Sequence, residues 1–248
     1  MSIADSPAIR RRKLFKGLSA SSAIRIGGGL LAVIVFVAIF APWLSSHDPI
    51  AQDLGKRMIP PFWYPGSDPA HWLGTDHLGR DYLARLLYGA RVSILIGLGV
   101  TLCAGFIGTM LGLAAGYFGG RVDMAISFIV TTRLSLPIVL VALAAVALGG
   151  ASLKTLAIVL SLLLWDRFAV VVRAAAQSLR SREFVQATQS FGASHLYIML
   201  HGILPNLRNT LIVVATLEIA NVILLEAALS FLGLGAQPPT PSWGLMIA

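Results

Sequence analysis

Few side chains in this sequence could do chemistry in an apolar setting. Glu218, Asn221 and Glu226 fall within one apolar run, residues 207–232, at spacings that keep them on one broad helical face. Arg133 lies inside another apolar run, residues 124–148. An ionised group in hydrocarbon costs at least about 2.5 kcal/mol even on the lenient insertion scale, so each is a functional candidate by default. For Glu218 the available chemistry is recognition, a carboxylate lining a solute path and meeting a solute amine. The competing reading is structural: a pair with Arg133 or a polar neighbour, or contact with water near the end of a helix bundle.

Catalysis finds no comparable constellation. The nearest approach to a phosphate loop is Gly149-Gly150-Ala151-Ser152-Leu153-Lys154-Thr155, but that motif needs glycine where Leu148 and Leu153 stand. His47, His71, His77, His195 and His201 show no paired spacing with cysteine or acids, so each reads as an ordinary loop or interface histidine and no metal site is expected. Cys103, the single cysteine, sits between Leu102 and Ala104 and reads as a small packed residue. The chain is expected to have no catalytic residue and no cofactor of its own.

The elements that must position these residues follow from composition. Of 248 residues, 56% are hydrophobic and 12% charged, and the mean hydropathy is +0.80. A soluble domain carries roughly a quarter charged residues, so the solvent here is lipid. The net charge of +8 is concentrated at Arg10, Arg11, Arg12, Lys13 and Lys16, just before an apolar run. That placement suits an anionic membrane leaflet and argues against nucleic acid.

A helix crossing hydrocarbon needs about 20 apolar residues, and no barrel alternation offers a substitute. Five runs qualify: Gly27 to Leu44, Val92 to Phe118, about Met124 to Leu148, about Leu153 to Val172 interrupted by Asp166 and Arg167, and about Leu207 to Leu232. The first is long for a signal-peptide core and ends in Ala41-Pro42-Trp43, so it reads as a retained helix. The distribution of Lys and Arg puts the amino terminus on the cytoplasmic side. Five spans then leave residue 248 outside, where Gly244 to Ala248 begins another apolar stretch, and a missing sixth helix is the expectation.

The resulting organisation is an all-α, polytopic membrane bundle. It comprises a cytoplasmic segment 1–26, a first transmembrane helix 27–44, a periplasmic loop 45–91 and a transmembrane domain 92–248. Within the loop, Leu83, Leu86, Leu87 and Ala90 recur at helical spacing, which predicts an interfacial amphipathic helix capped by Thr75 or Asp76, with Asp81 one turn before Arg85. Gly108, Gly112 and Gly116 recur every four residues in the second run and predict close helix packing.

Residues 177–206 interrupt the apolar pattern for about thirty residues, whereas a plain connection needs only a few. Val185, Thr188 and Phe191 share one face before Gly192, and Leu196, Met199 and Leu200 share one after it. Two short helices joined at Gly192, the second ended by Pro205, make a docking surface.

Here the chain resembles the inner-membrane permeases of bacterial ABC importers. Their signature is Glu-Ala-Ala, three residues, Gly, nine residues, then Ile, any residue, Leu, Pro. Gln186, Ala187 and Thr188 occupy the first three places, Gly192 the glycine, Gly202 the isoleucine place, and Leu204 and Pro205 the end. The stretches HWLGTDHLGRDYLARLLYGAR, GYFGGRVD and EAALSFLGLGAQPPTPSWG resemble one branch, the second permease subunit of dipeptide, oligopeptide and nickel importers.

The resemblance implies a type I importer permease fold and ATPase coupling through Glu183, Gln186, Ala187, Thr188, Gly192, Leu204 and Pro205. It also implies that Glu226, just before LSFLGLG, holds that turn. The implied partners are a different permease subunit, two cytoplasmic ATPases carrying ATP and Mg, a periplasmic solute-binding protein and the bilayer. The implied solute is a peptide, with nickel chelates, glutathione and opines as alternatives within the branch. A gradient-driven transporter or channel is the rival function. It would show inverted repeats and paired ionisable groups near mid-membrane, whereas this chain has a long docking segment instead.

Overall fold

The computed structural model describes residues 22–247. The basic run from Arg10 to Lys16 lies outside the described residues. Among those described, the regular structure is helical. Two compact units divide the chain, Met1–Arg91 and Val92–Ala248.

The first unit holds helix α1, Ser22–Leu44, followed by a loop with one 3-10 turn, Leu54–Lys56. The loop is cross-linked by its own polar groups. Thr75 donates its hydroxyl to the Lys56 carbonyl, and the Ile59 N–H donates to Thr75 Oγ1 at 3.0 Å. Asp76 Oδ1 accepts from the N–H groups of Leu78 (2.8 Å) and Arg80 (3.0 Å), and Oδ2 pairs with Arg80 Nε at 2.7 Å. Burial pushes the Asp76 carboxyl up, but the Arg80 and Leu78 N–H groups and the Arg80 guanidinium outweigh it, so the group titrates below its ordinary 3.8.

Helix α2, Tyr82–Phe118, begins in this unit and runs for 37 residues. At 1.5 Å per residue that is about 55 Å, well beyond a hydrocarbon core of about 30 Å. The expected interfacial helix and second span are therefore one continuous helix. Its cap is Asp81, not Thr75 or Asp76: Asp81 Oδ1 accepts the Ala84 N–H at 2.6 Å. Asp81 Oδ1 is thus committed to the backbone, and Arg85 pairs with Asp76, 3.2 Å away.

In the second unit the third apolar run is not one straight helix. Helices α3, Gly120–Leu134, and α4, Ile138–Gly149, meet at 85°. Pro137 explains the break, because it has no N–H for the Arg133 carbonyl and forces Leu136 out of helical geometry. Helices α5, Leu153–Leu163, and α6, Trp165–Arg180, are separated only at Leu164 and together form a 28-residue span candidate. Asp166 sits in the first turn of α6, where the helix dipole favours a carboxylate.

Short helices α7, Glu183–Ser190, and α8, His195–Tyr197, flank Gly192. The chain then passes through a π-helical stretch, Ile198–Ile203, into α9, Leu204–Phe231. Pro205 therefore starts a helix instead of ending one. The wider π turn accommodates a residue that lacks an N–H, and the axis runs on from His195 to Phe231. A last short helix, α10, covers Trp243–Ile247.

The glycine stripe of α2 finds its partner in α6. A Cβ at Gly108 would lie 2.1 Å from the Trp165 carbonyl oxygen, at Gly112 2.6 Å from that of Ala169, and at Gly116 2.6 Å from that of Arg173. The same four-residue step runs along both helices. Their backbones touch where no larger residue fits, which is how helices associate in lipid.

Among the described residues four helices are long and apolar enough to cross a membrane, and the bent pair α3–α4 makes a fifth candidate.

Candidate functional site

Four charged residues of the apolar helices form two ion pairs that meet at neighbouring positions of α6. Arg133 Nη1 on α3 lies 3.0 Å from Asp166 Oδ2 on α6. Arg167 Nη1, the next residue along α6, donates to Glu218 Oε1 on α9 at 2.6 Å. Glu218 Oε2 accepts from Asn221 Nδ2 at 3.4 Å.

Glu218 is thus paired, but with Arg167 and Asn221; Arg133 belongs to Asp166. Sequence reasoning treated Asp166 and Arg167 only as an interruption in a span. The signal that could have found them is the same one that picked out Glu218, an ionisable group inside an apolar run.

The two pairs are satisfied unequally. Glu218 is 1% exposed and both of its oxygens are occupied. Asp166 is equally buried, yet its Oδ1 has no hydrogen-bond partner, and neither has Arg133 Nε. A buried polar atom left without a partner costs about 1–3 kcal/mol, more for a charged group. Asp166, Arg167 and Glu218 line a cavity of about 410 Å³, whose walls are otherwise Leu134, Val170, Val171, Val214 and Leu217. An apolar hollow with a few convergent polar groups is the form a small-molecule site takes.

Glu226 has a different setting. It is fully buried, accepts the Ser230 hydroxyl at 2.7 Å and lies 3.3 Å from Ser93 Oγ on α2. Ser230 Oγ in turn accepts the Ala236 N–H at 3.0 Å. The carboxylate thereby ties α2, the end of α9 and the turn after it.

The second feature is the segment between α6 and α9. Helix α7 ends in a Schellman motif: the Gly192 N–H donates to the Gln189 carbonyl at 2.9 Å and the Ala193 N–H to Thr188 at 3.3 Å, with Gly192 at φ +78°. Tyr117, at the end of α2 and buried, fastens both sides of this joint. Its hydroxyl accepts from Gln189 Nε2 at 3.1 Å and lies 2.9 Å from His195 Nδ1.

Val185, Ile198 and Ile203 pack inward with Tyr117 and Leu113. Phe191 is 90% exposed, and Phe184, Leu196 and Tyr197 are also exposed. Of the face expected from Val185, Thr188 and Phe191, only Val185 is buried. Glu183, Gln186, Ala187, Gly192 and Pro205 are exposed, and Thr188 and Leu204 are half-buried. The signature positions thus form a surface standing on a small apolar foundation.

Residues 108–248, more than half of the sequence, match the family described as the inner membrane component of binding-protein-dependent transport systems. The chain belongs to that family. Residues 13–61 match the N-terminal transmembrane domain of oligopeptide transport permease C. The chain is 43% identical over 223 residues to the di/tripeptide transport system permease of Pseudomonas aeruginosa, covering 89% of this chain and 74% of the relative. It is 43% identical over 223 residues to the dipeptide transport system permease of Escherichia coli K12, covering 90% and 74%. Against the nickel transport system permease of E. coli K12 it is 36% identical over 230 residues, covering 93% and 81%.

Family membership and the apolar helices make this a multi-pass inner-membrane permease, a transport protein and not an enzyme. Its branch is that of the dipeptide, oligopeptide and nickel permeases.

Proposed function

We propose that this permease is one subunit of an ATP-driven importer and forms half of the path by which a peptide crosses the inner membrane through alternating access. The observation that supports ATP coupling best is the exposed apolar face of Phe191 and Leu196, fastened through Tyr117 to the end of a membrane helix. A force applied to that face reaches α2 and α9 directly. In this reading two cytoplasmic ATPases bind ATP and Mg, and each pulls on one such segment. A second, different permease completes the path, and a periplasmic binding protein delivers the solute. The amino-terminal segment 1–26 and the coupling segment 177–206 then face the cytoplasm, and loop 45–91 faces the periplasm.

Burying a phenylalanine side chain contributes about 1.5–3 kcal/mol. Phe191→Ser should therefore weaken recovery of ATPase subunits with the permease pair by about tenfold or more, while insertion and the permease pairing persist. Undiminished recovery would sink the docking role of this face.

The solute path is assigned to the hollow at Asp166, Arg167 and Glu218, with Asn221 and Arg133 as supporting residues. A peptide carries both an ammonium and a carboxylate, and by exchanging the internal Arg167–Glu218 pair for its own two ends it would find both counter-charges in an apolar wall. Glu218→Gln keeps an acceptor for Arg167 and should raise the KM for uptake several-fold without loss of complex. An unchanged KM returns Glu218 to a purely structural pair.

A further inference from the structure

The loop between α1 and α2 brings together three donors that are far apart in sequence: His47, His71 and Asp81. His71 Nδ1 lies 2.8 Å from Asp81 Oδ2, and His47 Nδ1 lies 3.8 Å from the same oxygen. The two imidazole rings are 4.8 Å apart between centroids and tilted by 35°. All three donor atoms fall within 4.8 Å of one another.

His71 and Asp81 are hydrogen-bonded, and the second imidazole, whose Nδ1 lies 3.3 Å from Ser46 Oγ, stands 3.8 Å from the same carboxylate oxygen. Bonds of about 2.0–2.2 Å to nitrogen and oxygen in a tetrahedral site hold neighbouring donors roughly 3.3–3.6 Å apart. The observed separations straddle that range, so small side-chain rotations convert the cluster into a coordination sphere.

We propose that His47, His71 and Asp81 bind a single divalent transition-metal cation, with Zn²⁺ as the best fit. Two imidazoles and one carboxylate form a donor set that suits zinc, with nickel and copper as competitors. Calcium and magnesium, which require mostly oxygen ligands, are disfavoured.

Asp81 is prepositioned for the task. Its Oδ1 is fixed by the Ala84 N–H as the cap of α2, leaving Oδ2 to face both rings. His71 and Asp81 are buried, whereas the His47 side chain is 35% exposed and gives a cation a route in from solvent, where a water would complete a tetrahedral sphere. The bound cation would staple the chain just after α1 to the start of α2. This role is independent of solute transport.

The test uses the full chain in detergent, with any affinity tag removed and metal stripped by a chelator, titrated with Zn²⁺ against a chromophoric competitor. One Zn²⁺ per chain is expected. His47→Ala removes a half-exposed ligand and should lower affinity by at least about tenfold, since even loss of an outer-shell partner has that effect. Asp81→Asn retains a capping side chain and should also weaken binding. His77→Ala, on the same loop but outside the cluster, should bind as the wild type does. Zn²⁺ should raise the thermal midpoint of the wild type and leave that of His47→Ala in place, because only a binder of the folded state is stabilised by mass action. Absence of stoichiometric binding overturns the site. So does wild-type affinity in His47→Ala, or an equal loss in His77→Ala.

Discussion

Gly79 and Gly192 share nearly the same backbone conformation, φ +74° and +78°, and differ in what surrounds them. A Cβ on Gly79 would lie 1.8 Å from the Asp53 carbonyl oxygen, whereas one on Gly192 would meet nothing within 4 Å. Gly74 resembles Gly79, since its Cβ would lie 2.2 Å from the Ile59 oxygen. Around Gly74 and Gly79 the loop after α1 is closed on itself, and glycine is required there because other backbone already fills the space. The segment around Gly192 is open, and its glycine answers only to the turn. Both regions leave large apolar side chains uncovered, Met58, Trp63 and Trp72 in the loop and Phe191 and Leu196 in the segment, so what separates them is the space around their glycines.

The most damaging way to probe that contrast is Gly79→Ala. The substitution combines positive-φ strain, of order 1–3 kcal/mol, with overpacking of similar size, so a loss of about 2–6 kcal/mol in the stability of the loop is expected. Limited proteolysis of the detergent-solubilised protein should then cut within residues 53–80 at protease levels that leave the wild type intact. A loop as resistant as before would mean that this backbone is looser than its hydrogen bonds indicate.

The division between these regions was only partly legible in the sequence, for physical reasons. Apolar length marks a span regardless of its surroundings, so α1, α2 and α9 were readable from their runs. The turn at Gly192 was readable because a Schellman motif is local. The 85° break between α3 and α4 was missed although Pro137 stands in plain view, because hydropathy is blind to direction. Pro205 was misread in the opposite sense: a proline usually stops a helix, and only the π turn before it lets the axis continue.

Pairings across the chain were the least accessible. The spacing of Gly108, Gly112 and Gly116 announced a close contact but not α6 as its partner. Nothing in one sequence links Arg133 to Asp166, or His47 to Asp81. Such links depend on how helices and loops are brought together, and a single chain of letters carries no record of it.

Gly192→Val is the milder probe of stability and the sharper probe of function. Within the chain a side chain at this position has open space, so the intrinsic cost is that of left-handed backbone alone, about 1–3 kcal/mol. Helix α7 would lose part of its Schellman closure, while Val185 and Tyr117 would still hold the segment to the membrane helices. Insertion and permease pairing should therefore survive, with a fall in thermal midpoint well below that of Gly79→Ala. In the proposed coupling role this exposed joint is where an ATPase would seat, and a branched side chain there would meet the docked partner. In the reconstituted complex, ATPase activity should no longer rise when loaded binding protein is added, and uptake should fall with it. If Gly192→Val transports normally with fully stimulated ATPase, the open space at Gly192 is ordinary solvent, and the contrast between a closed loop and a receptive segment loses its functional meaning.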